Sequence, residues 1–248
     1  MNALRQGSPL WLDIRKRFLI TGSRVPALVG CHYESLNAYY QAKRFGKTKP
    51  PRDFTSEAMA WGNDHEEEAF SRFLEDFKAT TKIDNIDWRY SDGMHVWAKE
   101  PDVAGSPDAC GYNQWGVGLP PWTLEIKCPY AGTWHEQDSV HDMFQKKPQH
   151  WMQLQVNMAC CGSSYGAFYV WDSNPDQSIE RRRIVICNRD DQLLDWLCSR
   201  IHWWKGVMTK EPAPKEVRLI AGTKKDALKR VLRSTKKSIV KERWYYSE

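Results

Sequence analysis

Residues 122–129 read WTLEIKCP, a short apolar stretch that carries one acid and one lysine and ends at a proline. Its β-branched and apolar residues favour a strand, and Pro129 ends that strand because proline cannot donate a ladder hydrogen bond. Side chains alternate along a strand, so Glu125 and Lys127 share one face and the apolar side chains share the other. Either charge is costly to bury unless it is paired or bound to a metal ion.

A second fragment, Ser106-Pro107-Asp108, lies just upstream and supplies another carboxylate. Two carboxylates, one lysine and the adjacent backbone carbonyl of Ile126 form a hard-oxygen site suited to Mg²⁺. An acid followed by Glu-x-Lys, with a proline before the acid, is the pattern of PD-(D/E)xK nucleases. A bare Glu-x-Lys also fits a surface strand with a solvated ion pair, so the rest of the chain must decide.

The composition is typical of a folded protein. The chain of 248 residues is long enough for one α/β domain with a small appendage. The net charge of +5 is compatible with a polyanionic partner. The seven cysteines include no C-x-x-C pair, which argues against a disulfide framework and against a cysteine-based zinc or iron–sulfur site. No run approaches the length of a membrane span, so we expect a soluble protein of a reducing cytoplasm.

Apolar periodicity and turn residues predict the remaining elements. The first helix begins at Ser8-Pro9, a capping hydroxyl followed by proline at the first helical position. The further predicted elements are a hairpin of strands 86–90 and 93–98, one strand at 103–112, strands at 164–171 and 183–187, and helices at 35–45, 63–77, 148–161 and 190–208.

Three groups of polar residues are candidates for function. Glu66 faces the core side in the first turn of the helix predicted at 63–77, whereas Glu75 and Asp76 look outward; Glu66 either stabilises the helix end or reaches a metal. Arg15 and Ser23 either form a phosphate pocket at a helix N-terminus or serve as a surface arginine and a plain cap. A polar stripe of His150, Gln153 and Asn157 on an apolar helix needs a hydrogen-bonding partner, which is either protein or ligand.

The chain divides into a main domain, residues 1–215, and a basic C-terminal helix or tail, residues 216–248. Within this C-terminal segment, residues 222–243 contain nine lysines and arginines but only two acidic residues. Such a run is either a solvated face or a surface that contacts the DNA backbone or an acidic partner.

Several fragments occur in one order along the chain, and together they are more specific than Glu-x-Lys alone. They are Trp11-x-x-x-Arg15, residues 20–23 (ITGS), Ala60-Trp61-Gly62-x-x-x-Glu66, Ser106-Pro107-Asp108, residues 124–129 (LEIKCP) and Gln153-Leu154-Gln155. This set resembles the phage lambda exonuclease family, also called YqaJ-type viral recombinases, over roughly residues 8–172. Two departures are Ala109, where the family has glycine, and one additional residue between Arg15 and Ser23.

The resemblance implies a PD-(D/E)xK, restriction-endonuclease-like α/β core with a central mixed β-sheet flanked by helices. It implies an alkaline exodeoxyribonuclease that degrades one strand of linear double-stranded DNA 5′→3′ to 5′-mononucleotides. The cofactor would be Mg²⁺, two ions, with Mn²⁺ as a substitute. Its partners would be DNA ends, a single-strand-annealing protein and two further copies in a trimeric ring, in a phage- or prophage-encoded system of a bacterial host.

The same resemblance assigns roles to individual residues. Asp108 and Glu125 hold the metals with the Ile126 carbonyl, and Glu66 is a further carboxylate near them. Lys127 orients or activates the attacking water, and Gln153 is the supporting residue of the Q-x-Q helix. Arg15 and Ser23 match the residues that bind the 5′-phosphate.

Other functions stay open from the sequence. These are an endonuclease of the same superfamily, a non-catalytic DNA-binding protein, and an iron–sulfur nuclease of the Cas4 or RecB type, which the scattered cysteines disfavour.

Overall fold

The computed structural model describes residues 6–47, 53–91, 93–114, 120–130, 139–172 and 180–247. Within these ranges the helices are α1 (Pro9–Arg17), a 3₁₀ helix (Gly22–Val29), α2 (Leu36–Phe45), α3 (Asp53–Thr81), α4 (Val140–Lys146), α5 (Pro148–Cys161), α6 (Asp191–Thr209) and α7 (Thr223–Ser238). The strands are β1 (Ile20–Thr21), β2 (Ile86–Tyr90), β3 (His95–Val96), β4 (Val103–Gly105), β5 (Ala109–Asn113), β6 (Trp122–Lys127), β7 (Tyr165–Asp172), β8 (Glu180–Asn188) and β9 (Ile239–Ser247).

The main sheet has six strands in the order β2-β5-β6-β7-β8-β9. The β6–β7 pair is parallel and the other four pairs are antiparallel, so the sheet is mixed. A small second sheet has the order β1-β4-β3. The predicted central mixed sheet with flanking helices is confirmed.

Strand β6 lies inside the main sheet, and the four residues of its middle, 123–126, are all buried. On one side Leu124 and Ile126 pack with Phe73 and Phe77 of α3. On the other side α5 shares a larger core with α6, α7 and the 3₁₀ helix. The alternation of β6 therefore directs its apolar side chains to one layer and its charged side chains to the other, as expected.

The single strand predicted at 103–112 is wrong. The chain forms β4 in the small sheet, leaves it at Gly105, and enters the main sheet at Ala109 as β5. Pro107 lies between the two strands and has no N–H to continue a ladder. Asp108 consequently stands at the crossing point, where its backbone N–H still donates to Leu124 O at 3.1 Å.

The hairpin predicted from strands 86–90 and 93–98 is also wrong. Strand β2 pairs with β5 in the main sheet, whereas β3 pairs with β4 in the small one. Asp92, in the predicted turn, lies outside the described residues.

Helix α3 is 29 residues long and begins at Asp53, ten residues before the predicted start. Glu66 is therefore in the middle of the helix, and the alternative of a charge at a helix end is wrong. The inward stripe is also rotated from the prediction. Asp76 is 3% exposed and accepts from Tyr169 Oη at 2.7 Å, whereas Leu74 is 39% exposed.

Residues 216–248 contain the predicted basic helix, α7, together with strand β9. Ala227 and Val231 of α7 are fully buried in the larger core, and Trp151 Nε1 donates to Ser234 Oγ at 2.9 Å. Strand β9 pairs with β8 along the edge of the main sheet. This segment is thus packed against the rest of the fold, and the boundary predicted at residue 215 stays a prediction.

None of the helices in the described ranges combines the length and apolar character that crossing a bilayer requires.

Candidate active site

Strand β6 carries the acid–lysine pair on one face. Lys127 Nζ donates to Glu125 Oε1 at 2.5 Å and to its neighbour's carbonyl, Ile126 O, at 2.9 Å. The Glu125 side chain is fully buried and that of Lys127 is 25% exposed. The ammonium is therefore held between a buried carboxylate and a backbone carbonyl.

Asp108 approaches the same strand from the crossing between the two sheets. Its Oδ2 accepts from Ile126 N at 2.6 Å, and the residue is 4% exposed. This hydrogen bond fixes one carboxylate oxygen against the backbone of β6 and leaves the other for a different partner.

Glu66 reaches the site from α3, where the phenol of Tyr90 donates to its Oε1 at 3.1 Å. Burial and the nearby Asp108 carboxylate raise the pKa of Glu66 to about 8. Tyr90 pairs with Ala109, the residue after Asp108, so its hydrogen bond brings the helix-borne acid near the acids on the strands.

The other charged groups are shifted for related reasons. Burial and the Asp108 charge raise the pKa of Glu125 to about 7, and burial raises the pKa of Asp108. Burial alone would lower the pKa of Lys127, but the Glu125 and Asp108 carboxylates together raise it above its usual value. Three carboxylates thus face one ammonium in a poorly hydrated site.

The donor set fits a hard divalent cation. Asp108, Glu125, Glu66 and the Ile126 carbonyl offer oxygen atoms only, and the three carboxylates, when ionised, carry more negative charge than the Lys127 ammonium balances.

Helix α5 supplies a residue that the sequence did not place in the site. Asn157 Nδ2 donates to Glu125 Oε2 at 2.9 Å, so both oxygens of that buried carboxylate are held. The polar stripe of α5 indicated a buried partner, and this hydrogen bond accounts for its third member. Gln155, the last residue of the Q-x-Q motif, instead binds the backbone at Asn188 O and Asp190 N.

A cavity of about 250 Å³ lies beside Asn157, the residue that donates to the Glu125 carboxylate. Its lining is mainly polar and includes Gln153 and Ser106 beside the Arg15 region. Gln153 therefore faces this cavity, as a supporting residue of the site would.

Arg15 and Ser23 lie together in the wall of that cavity. Arg15 Nη2 donates to Ser23 Oγ at 2.7 Å and to Thr21 Oγ1 at 3.3 Å, and its guanidinium lies 4.8 Å from the centre of the Trp11 ring. Burial lowers the pKa of Arg15 from its usual value. The alternative that Ser23 caps a helix is wrong, because Thr21 is the N-cap residue of the 3₁₀ helix and no side chain makes a capping hydrogen bond there.

All of the predicted site residues thus lie in one region, around β6 and the adjoining cavity. Sequence reasoning missed the contribution of Tyr90, Asn157 and Trp11, whose indole donates to Ser106 Oγ at 3.3 Å. The alternation of β6 and the polar stripe of α5 predicted that the site has charged and polar residues, but they did not predict these hydrogen-bonding partners.

Three solved structures that are similar to this chain are of exonucleases. An alkaline exonuclease from Laribacter hongkongensis is 22% identical with a TM-score of 0.56, over 81% of this chain and 92% of that one. Its complex with dAMP is 23% identical, with a TM-score of 0.57 and the same coverage. A phage-related exonuclease from Haemophilus somnus is 13% identical with a TM-score of 0.51, over 75% of this chain and 91% of that one. The fold is therefore the PD-(D/E)xK fold of phage-type exonucleases.

No curated protein matches the chain. The sequence model of the YqaJ-like viral recombinase domain, in contrast, matches residues 10–164, which is more than half of the chain. That range contains the carboxylates, the lysine and the Arg15–Ser23 pair. The chain therefore belongs to the family of YqaJ-like viral recombinase domains.

Proposed function

We propose that this protein is a Mg²⁺-dependent exonuclease that degrades one strand of linear double-stranded DNA from its 5′ end. The observation that carries the proposal is the buried Glu125–Lys127 pair beside Asp108 and Glu66, which shares Asn157 with a polar cavity. A carboxylate cluster with one ammonium suits hydrolysis of an anionic phosphodiester, and family membership supports a nuclease role.

Asp108, Glu125 and the Ile126 carbonyl would hold the metal, and Glu66 would approach it from helix α3. The family resemblance implies two Mg²⁺ ions at this site. When bound, divalent cations lower the pKa of water and neutralise charge that develops on the phosphoryl group and the leaving oxygen.

The protein's own groups orient the reactants. Lys127 is a protonated donor, because its carboxylate neighbours raise its pKa, and its Nζ is positioned to orient a water or a phosphoryl oxygen. Asn157 and Lys127 fix the two oxygens of Glu125, so this ligand need not reorganise during the reaction.

Arg15 and Ser23 would bind the 5′-phosphate by charge-assisted hydrogen bonds. The cavity that they line is also lined by Asn157, which donates to Glu125. A ligand phosphate there would place the first phosphodiester toward the metal ligands. The similar alkaline exonuclease was solved with dAMP, a 5′-mononucleotide of the kind that this reaction releases.

Lys127→Ala tests the assignment most simply. We expect the rate of Mg²⁺-dependent hydrolysis to fall at least about 100-fold, as it does when one charge-stabilising donor is removed from other enzymes. Asp108→Ala and Glu125→Ala should also be inactive. Lys99→Ala, which removes an exposed lysine paired with Asp195, is the control and should retain full activity. Wild-type rates in a folded Lys127→Ala protein would refute the assignment.

The proposal extends to the assembly that the family resemblance implies: a trimeric ring around the duplex, working beside a single-strand-annealing protein in a bacterial cytoplasm. Light scattering on the purified protein tests the ring. A mass of three chains supports it, and a monomer at assay concentrations overturns it.

A further inference from the structure

Three side chains that the proposed reaction does not use form a second cluster of metal ligands. They are His95 of β3, Cys110 of β5 and Cys161, the last residue of α5. Their ligand atoms all lie within 4.8 Å of one another. These residues are far apart in the sequence, so the cluster forms no C-x-x-C motif and could not be predicted from one.

Two of the three distances in the cluster match those of a tetrahedral zinc site, and the third, between Cys161 and His95, lies within 4.8 Å. Cys110 Sγ lies 3.6 Å from Cys161 Sγ and 3.7 Å from His95 Nε2. Tetrahedral Zn²⁺, with bonds of about 2.3 Å to sulfur and about 2.0–2.1 Å to nitrogen, separates two sulfurs by about 3.8 Å and sulfur from nitrogen by about 3.6 Å. An ion can therefore enter with only small movements of the three side chains.

The ligand types select zinc over the cation of the nuclease site. Thiolate and imidazole ligands favour Zn²⁺, whereas Mg²⁺ requires oxygen. Cys110 is fully buried, and His95 and Cys161 are partly exposed, so an ion can reach the cluster from the solvent side.

We propose that His95, Cys110 and Cys161 bind one Zn²⁺, with water in the fourth position. Binding releases the two thiol protons to solvent, and no electron transfer is involved. The ion would join the small sheet, the main sheet and the end of α5. It would thereby hold β5, which follows Asp108, against the helix that carries Asn157.

Cobalt substitution tests the site directly, since Co²⁺ bound to thiolate absorbs by ligand-to-metal charge transfer. The full-length protein, reduced and stripped of metal with a chelator, is titrated with Co²⁺ alone. We expect a charge-transfer band that saturates at one equivalent per chain and is displaced by Zn²⁺. The double variant Asp108→Asn/Glu125→Gln should keep the band, because the carboxylate site contributes no sulfur.

Single substitutions identify the ligands. His95→Ala and Cys161→Ala, at partly exposed positions, should weaken Co²⁺ binding by more than the roughly 10- to 100-fold that changes to residues supporting a ligand cause. Cys160→Ala is the matched control, because this neighbouring thiol is outside the cluster. It should leave the band unchanged.

Three results would overturn the proposal. One is a wild-type protein without a sulfur charge-transfer band at saturating Co²⁺. The second is a band that survives in Cys161→Ala. The third is a reduced protein in which Cys110 and Cys161 form a disulfide as soon as the reductant is removed, even with Zn²⁺ present.

Discussion

Glu125 illustrates at the scale of one residue how the site combines burial with charge. Its side chain is fully buried, yet both oxygens are hydrogen-bonded, one to Lys127 and one to Asn157. These two donors favour the ionised form, but burial and the Asp108 charge outweigh them and raise the pKa to about 7. A buried carboxylate whose pKa is near 7 can lose its proton at neutral pH when a metal ion binds.

The shifted carboxylates predict how stability depends on pH. Glu125 and Glu66 have folded-state pKa values of about 7 and about 8, above the ordinary value of 4.5. The folded protein therefore binds more protons than the unfolded chain between these limits. Their stabilising contribution is complete below about pH 4.5 and is lost as the pH rises through 7 and 8.

In chelator, we expect the loss of this contribution to lower the melting temperature as the pH rises from about 6 to about 9, and we expect Mg²⁺ to restore stability most at the alkaline end. Differential scanning calorimetry with and without Mg²⁺ measures both effects. Glu125→Gln is the control and should flatten the dependence. A pH dependence identical in wild type and Glu125→Gln would contradict the assignment.

Arg15 carries a prediction about the DNA end. Arg15→Ala should lower kcat/KM on 5′-phosphorylated duplexes by about 10- to 100-fold, the value of one or two hydrogen bonds to a charged group. Duplexes without the phosphate should be affected much less, so the preference between the two ends disappears. Arg17→Ala is the control, since Arg17 is 72% exposed and pairs with Asp13 on the same helix. Equal rates of wild type on both kinds of end would rule out the phosphate pocket.

Some of these residues could be predicted and others could not. Spacing along one strand or helix was enough to predict that Glu125 and Lys127 share a face and that α5 has a polar stripe. The partner of the stripe could not be predicted, because Asn157 meets Glu125 across 32 positions in sequence. The outward prediction for Asp76 was wrong because an apolar stripe fixes a helical face only to within about one residue.

At the scale of elements, the crossing between β4 and β5 determines where the acid is placed. The sequence predicted one continuous strand, because residues 103–112 are apolar enough for it. Pairing with two different sheets cannot be read from local pattern, since each partner strand is distant in sequence. Pro107 is the local signal that marks the break.

The packing of α5 against the 3₁₀ helix predicts a sensitive glycine. An added Cβ at Gly22 would lie 2.6 Å from Asn157 Oδ1, and this amide is already held through its nitrogen by Glu125. Gly22→Ala should therefore displace Asn157 and reduce kcat by about tenfold or more, as the removal of an orienting partner does elsewhere.

Gly206→Ala is the matched control for that experiment. A Cβ at Gly206, inside α6, meets nothing within 4 Å. Activity should be unchanged and unfolding should cost about 0.4–1 kcal/mol more, because alanine loses less backbone entropy in a helix. If Gly22→Ala matched wild type in both rate and stability, the packing between these layers would not control the site.

Helix α7 predicts a contribution to DNA affinity. Lys224, Lys225 and Lys229 are exposed on it, while its apolar face is buried. Replacing these three lysines by glutamine should flatten the plot of log affinity against log salt by about 0.9 for each DNA phosphate that the helix no longer neutralises. Substitution is preferable to deletion, since removal of α7 and β9 would expose the core and the sheet edge.

The control for the α7 variant replaces three exposed lysines that lie elsewhere in the chain. Lys82, Lys210 and Lys215 are exposed and lie outside the helix. Their replacement by glutamine makes the same change in net charge. An equal effect of the two triple variants on the salt slope would show that α7 acts only through overall charge.

At the scale of the whole molecule, two cores on opposite faces of one mixed sheet hold the site between them. The core with α3 positions Glu66, and the core with α5 positions Asn157. The order of six short motifs was enough to predict this architecture, because the family fixes which elements carry them. The small sheet and the cluster at His95 were not predictable, because they arise from contacts between motifs rather than within them.

The most direct test of the central claim, that the carboxylate–lysine site hydrolyses DNA from an end, uses linear duplexes labelled at either end and a covalently closed circle. With Mg²⁺, the wild-type protein should release the 5′ label first, as a mononucleotide, and leave the circle intact, while Lys127→Ala releases neither label. Cutting of the circle, or equal release of labels by Lys127→Ala, would contradict the account.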